Sequence, residues 1–422
     1  MTQWIEAEEV AGLLKPGMSV FVAGATAEPR QILEALAKGG ERCAGVRFVS
    51  VSLPGMNGVD FSRFNPQTRS TAFFATAENR ESIAAGQVDF LPMQYRAIYE
   101  YLQREQQIDL VLAQLPALGE GGKFSLGIAV DFLPAVLEKA SLVVAEINAR
   151  QPVPGDTSNF PASRIDYAVA CERPVPTIAP IELTDSARAI GREVGRLIAD
   201  GDCLQIGIGA IPDASLAALT AKNDLGIHSG MITDGVMALA ENGNITGDRK
   251  SVDCKQMVSG VVLGGQRLID WAGSAPALSL RPVGYTHDPA VIRQIEDFVS
   301  INSALEIDLF GQVNAEMLGG HQVSGTGGCV DMMRAAALSR GGRSIVALAS
   351  TANQGRVSRI VPTLAAHTAT TALRTDIDIV VTEHGSRRIK NLPLMARAEA
   401  LIEIADPGYR DGLREQWAVL FS

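Results

Sequence analysis

Residues 204–214 read LQIGIGAIPDA. Leu204 to Ile208 is an apolar run of the length of a buried strand, and a helix-forming stretch begins at Ala210. Gly207 and Gly209 mark the turn between them. Such a turn can simply connect strand to helix. It can also point backbone N–H groups at an anion or oxyanion lying at the helix N-terminus. The full dinucleotide fingerprint is absent, because Pro212 stands where the third glycine would be.

The same order recurs outward from this stretch. Residues 19–29 read SVFVAGATAEP, and residues 29–38 follow with a helical pattern. Apolar runs also occupy 46–53, 108–115, 142–147, 344–349 and 377–382. Unbroken Val/Ile/Leu runs suit parallel strands covered on both faces. Buried helix pieces give similar runs, but the repeated order of strand, glycine and helix favours an α/β fold with doubly wound sheets. Between Cys171 and Ala187 the chain reads CERPVPTIAPIELTDSA, rich in proline and closing on a cap-like Thr184-Asp185 pair. The expected domains are therefore 1–185 and 186–422, the second opening on a helix over 186–200. Both halves run helix, strand, glycine turn, helix, a weak internal repeat. Residues 148–163 read as an extended surface loop.

Composition narrows the class. The chain has 422 residues, a net charge of −10, 46% hydrophobic residues and 41 glycines. Its length suits two or three domains, and its apolar share excludes wholesale disorder. The acidic balance argues against a protein that coats nucleic acid. Five scattered cysteines without a CxxC pair suit reduced thiols. Five scattered histidines show no metal-ligand spacing, so no metal is expected. The acidic N-terminus lacks a signal-peptide pattern, and no apolar run reaches a membrane span. A cytoplasmic enzyme without membrane attachment is expected.

Three other segments could carry chemistry. Residues 324–331 read SGTGGCVD and precede a helix-like run from 332 to 339. Gly325, Thr326, Gly327 and Gly328 could form a nest of N–H groups, with Asp331 beside it, or a flexible surface turn. Cys329 would have a lowered thiol pKa at a helix N-terminus, or none if simply packed. Glu383 closes the run 377–381, where α/β ligands bind, and could equally be a loop acid. Asn302, Glu306 and Asn314 could bond a polar ligand, and each alone could be structural.

Taken together these stretches resemble the acetyl-CoA hydrolase/transferase family. The similar segments are FVAGATAEP (21–29), FSLGIAVDF (124–132), LQIGIGAIPDA (204–214), LGIHSGMITDGV (225–236), INSALEIDLFGQVNAE (301–316), SGTGGCVDMMRAAALSRGGRSIVALAST (324–351), VVTEHG (380–385) and ARAEALIEIADPGYRD (396–411). The resemblance implies two tandem α/β domains of the class I CoA-transferase type, with the active site between them. It implies an acyl-CoA substrate that brings coenzyme A with it, no resident cofactor, a small carboxylate as second substrate, and an assembly of two or more copies. In such enzymes a glutamate attacks the thioester and forms an acyl-glutamyl anhydride. CoA thiolate then attacks that carboxyl group to give an enzyme-CoA thioester, which a second carboxylate resolves. Ile208, Gly327 and Gly328 match the backbone oxyanion donors, with Gly207 and Gly209 beside them.

One position departs from the pattern. Where CoA-transferring members read H-[ST]-E-M, this chain reads His228-Ser229-Gly230-Met231. Gly230 takes the place of the nucleophile and has no side chain. Three outcomes follow: hydrolysis by another activating group, a divergent CoA-ester reaction such as decarboxylation or C–C cleavage, or silent binding. Hydrolysis or a divergent reaction is the expectation. His228 is a candidate base or a structural residue. Ser229 would need a base beside it. Glu383, in an E-x-G arrangement, is a supporting acid. Cys329 occupies a position often held by Gln and could place a new thiol in the pocket.

Overall fold

The computed structural model describes residues 2–119 and 122–421. It divides into two compact units, each discontinuous in sequence. The first comprises Met1–Ala179, Val258–Thr286 and Val323–Gly325, and the second Pro180–Met257, His287–Gln322 and Thr326–Ser422.

The first unit holds an eight-stranded sheet. Its strands are β1 (Gln3–Trp4), β2 (Ser19–Val22), β3 (Arg47–Ser50), β4 (Arg69–Ala72), β5 (Val88–Phe90), β6 (Leu110–Pro116), β7 (Leu142–Asn148) and β8 (Tyr167–Cys171). Their spatial order is β1-β8-β7-β6-β2-β3-β4-β5, and every neighbouring pair is parallel. The chain winds outward from β2 to β5, then returns to β6 on the other side of β2. This is the doubly wound pattern expected from the apolar runs. All seven residues of β6 are buried, as a strand covered on both faces requires. Helix Arg30–Lys38 buries Ile32, Leu33, Ala35 and Leu36 on one face. The carboxylate of Glu146 on β7 accepts the Ile32 N–H at 3.0 Å near the start of this helix, satisfying a donor that the helix leaves over. Burial nevertheless pushes the Glu146 carboxyl up from its ordinary value.

The second unit is built on a six-stranded sheet. Its strands are β9 (Cys203–Ile206), β10 (Gly226–Ile227), β11 (Phe298–Ser303), β12 (Arg343–Ala347), β13 (Ile379–Thr382) and β14 (Gly385–Arg388). The order is β10-β9-β11-β12-β13-β14. All pairs are parallel except β13 with β14. Helix Asp185–Leu197 starts on Thr184, whose hydroxyl accepts the Ala187 N–H at 3.1 Å. That is the cap the sequence suggests, worth about 1 kcal/mol. One apolar cluster of this unit gathers Ile307, Val346, Leu348, Val380, Leu401 and Trp417.

Two expectations need correction. Residues 148–163 are not simply a surface loop. They include strands Asp156–Thr157 and Asn159–Pro161, and Gln151 is buried. Asp156 is held by both terminal nitrogens of Arg281, at 2.9 and 2.8 Å. Strands β4, β5 and β8 lie outside the apolar runs singled out above, because short segments such as RSTA and VDF lack a long hydrophobic signal. Among the described residues, no helix is long and apolar enough to cross a membrane. Nor, among them, is any group of three or more His, Cys, Asp or Glu arranged to hold a metal ion.

Candidate active site

The sheet of the second unit brings several of the candidate residues to one end. β9 runs into Gly207, β10 into His228 and β13 into Glu383, while β11 carries Asn302 near its end. These strands are parallel, so all these positions lie at carboxyl ends, where α/β folds bind ligands.

At the end of β9, Gly209 has φ 119° and precedes helix Ala210–Ala217. An L side chain rarely adopts that φ, so glycine is required for this turn. Ile208 is 41% exposed, so the turn faces solvent. Behind the turn, Gln205 and Asn302 join their side-chain amides across β9 and β11. Asn302 Nδ2 donates to Gln205 Oε1 at 3.1 Å, and Gln205 Nε2 donates to Asn302 Oδ1 at 3.3 Å. Asn302 also donates to Ser300 Oγ at 2.8 Å. Its polar atoms are thus engaged within the sheet. Gln205 escapes a sequence reading because it stands as one polar letter inside an apolar strand.

At the end of β10 the chain is held from several sides. Lys250 is buried, and its Nζ donates to Ile227 O at 2.9 Å and Gln256 O at 2.6 Å. Burial pulls this ammonium below its usual range. Ser229 Oγ donates to Ile206 O at 3.1 Å, which ties the turn to the end of β9. His228 is fully buried, and its ring packs edge-on against Phe298 at 6.3 Å between centroids. Gly230 is half-buried. A Cβ built on Gly230 would lie 3.0 Å from His287 Cε1 and 3.3 Å from His287 Nε2. The imidazole adjoining Gly230 therefore belongs to His287. Sequence reasoning missed it because the two residues are far apart in the chain.

Glu383 follows β13, and both its oxygens accept hydrogen bonds from Ser350. Four strand spacings separate β10 from β13, roughly 19 Å across the sheet. Glu306 and Asn314 lie away from this sheet, on a three-stranded one with Ile360–Val361. Asn314 is buried. Its Nδ2 donates to Glu306 Oε2 at 3.1 Å and Met317 O at 2.8 Å, and its Oδ1 accepts two backbone N–H groups.

The loop 324–328 leads into helix Cys329–Leu338. Gly325, counted with the first unit, lies against Phe73 so closely that a Cβ would fall 2.2 Å from Phe73 O. Gly327 has φ 57°, and Gly328 precedes the helix, with Asp331 in its first turn. Cys329 Sγ donates to Thr326 O at 3.4 Å. Burial, with Asp331 and Glu316 nearby, pushes its thiol up to about 12. Desolvation outweighs the help a helix N-terminus gives a thiolate, so this thiol stays protonated.

Comparison with known proteins places the whole chain. Residues 1–179 match the acetyl-CoA hydrolase/transferase N-terminal domain, and residues 264–417 match the C-terminal domain. A 4-hydroxybutyrate coenzyme A transferase from Clostridium kluyveri is 36% identical over 99% of this chain and 97% of its own length. The crystal structure of RipA from Yersinia pestis superposes with a TM-score of 0.94 at 31% identity, covering 99% of this chain and 98% of that one. A 4-hydroxybutyrate CoA-transferase from Porphyromonas gingivalis gives a TM-score of 0.82 at 32% identity, covering 99% and 98%. The chain belongs to the acetyl-CoA hydrolase/transferase family.

Proposed function

We propose that the chain acts on acyl-CoA thioesters and passes the acyl group to water, not through a glutamyl anhydride. The observation that carries this is Gly230. Family resemblance puts the covalent nucleophile at this position, and glycine offers no carboxylate. The rest of the sheet edge suits thioester chemistry. The turn at 207–209 opens a helix N-terminus near solvent, and N–H groups there and at Gly327 and Gly328 would stabilise the tetrahedral oxyanion. Glu383 serves as a supporting acid. CoA enters as part of the substrate, without a resident cofactor. Assembly into two or more copies and a cytoplasmic location belong to the same reading and are supported by resemblance and composition.

Release of free thiol from a panel of acyl-CoA esters tests the reading. Turnover without any acceptor carboxylate is expected. Borohydride treatment during turnover should leave no reduced glutamate detectable by mass spectrometry. Tight binding with no thiol release across the panel would instead identify a silent CoA-ester-binding protein. Small-carboxylate-dependent transfer with a trapped glutamate would overturn the reading.

A further inference from the structure

We infer that His287, beside Gly230, is the base that activates water for the hydrolysis proposed above; the inference rests on that reading. Gly230 is not glycine for the sake of its backbone, because its φ lies outside the left-handed region that favours glycine. The space around it gives a different reason. Chain neighbours aside, the atoms within 4 Å of a Cβ at 230 are Cε1 and Nε2 of His287. The ring edge that bears a nitrogen therefore borders the place where a side chain would begin, and the rest of that place is open.

His287 is well placed for such a role. It is buried, so its ring is held in position. The next residue, Asp288, caps helix Pro289–Ile292 by accepting the Ala290 N–H at 2.8 Å, which fixes the backbone beside it. Ser229, the residue before Gly230, bonds the end of β9, where the proposed oxyanion turn begins. A water at about 2.6–3.2 Å from the ring nitrogen is within reach for general-base transfer. It would stand in the volume that a longer side chain at 230 would fill. His228 is the weaker candidate, because its ring is packed on Phe298 in the core.

The step balances without a co-reactant beyond water. Water gives a proton to the imidazole as its oxygen bonds to the thioester carbon, and the carbonyl electron pair moves onto oxygen. The tetrahedral intermediate then re-forms its carbonyl and breaks the C–S bond. The imidazolium returns its proton to the departing thiolate. Acyl-CoA and water become a carboxylic acid and CoA thiol.

The test uses the full chain and thiol release from an acyl-CoA that the wild type hydrolyses. His287→Ala should lower kcat by about 10²–10⁴-fold while acyl-CoA binding by calorimetry stays unchanged. Added imidazole should restore part of that turnover, because it can enter the space the ring leaves. A structural role would not give this rescue. If His287→Ala fails to fold, His287→Gln keeps most of the volume and should show the same loss. Wild-type turnover in a folded variant overturns the assignment, as does a loss that imidazole does not rescue in a folded His287→Ala protein. If the wild type releases no thiol from any acyl-CoA, it is the functional reading that fails.

Discussion

Ser350 grips both oxygens of the Glu383 carboxylate. Its backbone N–H donates to Oε2 at 2.8 Å and its hydroxyl donates to Oε1 at 3.0 Å. The two residues follow neighbouring parallel strands, β12 and β13, so the sheet register sets this pairing. Ser350 is fully buried. The grip fixes the direction of the carboxylate at the carboxyl end of the sheet. Ser350→Ala removes the hydroxyl bond and leaves the N–H bond. A loss of about 1.5 kcal/mol is expected by urea unfolding, at the lower end for a bond to a charged group. Thiol release should slow as well, since Glu383 would then be held at one oxygen instead of two. A variant with full activity and stability would show that the grip is idle.

Asp131 provides a pH test in the first unit. Burial pushes its carboxyl up to about 7, against the pull of the Tyr95 hydroxyl, which donates to it at 2.9 Å. A raised carboxyl binds its proton more tightly in the folded state than in the unfolded state. Its contribution to stability is therefore full below the unfolded value, near 4, and is lost as pH rises towards about 7. Asp131→Asn should remove this dependence. The residue has φ 34°, in the region Asn tolerates well, and the amide oxygen can still accept from Tyr95. The variant should unfold at a higher temperature than the wild type at pH 8, with the advantage shrinking towards pH 4. An equal difference at both values would rule out the carboxyl as its source.

The cysteines should separate cleanly under alkylation. Cys329, partly buried, has its thiol pushed up to about 12, and buried Cys203 is also raised to about 12. The thiolate is the reactive form, so both should resist iodoacetamide at pH 8 in the folded protein. Cys254 is exposed and should be modified first. Peptide mapping reads the order, and Cys329→Ser should keep its thiol-release activity. Alkylation of Cys329 as fast as Cys254, with loss of turnover, would make it an active-site nucleophile.

The strands that sequence reading found are those whose side chains are buried on both faces, such as Leu110–Pro116, because such runs are apolar throughout. The Thr184 cap was legible because capping chemistry is local. What escaped depends on contacts between distant residues. Gly325 and Gly230 are the same letter, yet the first is required by the Phe73 carbonyl and the second borders an imidazole. Asn302 reads as a ligand candidate until Gln205 takes up its amide. The fold was legible from patterns along the chain, while the site depends on pairs that only folding brings together.

The Gly230–His287 contact also governs what a restored carboxylate would do. At 3.0 Å a Cβ is tighter than ordinary contact, so Gly230→Glu must shift the buried His287 ring by a few tenths of an ångström. The single variant should therefore fold with reduced stability and gain little CoA transfer. Gly230→Glu combined with His287→Ala removes the obstacle. This double variant should transfer CoA from an acyl-CoA to a small carboxylate, form a borohydride-trappable glutamyl thioester, and lose water-dependent thiol release. The measurement is the ratio of transfer to hydrolysis across the four proteins of the cycle. The coupling between the two sites should be positive for transfer, because each change alone lacks either the nucleophile or the room for it. If the single Gly230→Glu variant transfers as well as the double, the imidazole does not obstruct that position. If the double variant folds, binds acyl-CoA and transfers nothing, the surrounding pocket has diverged beyond these two residues.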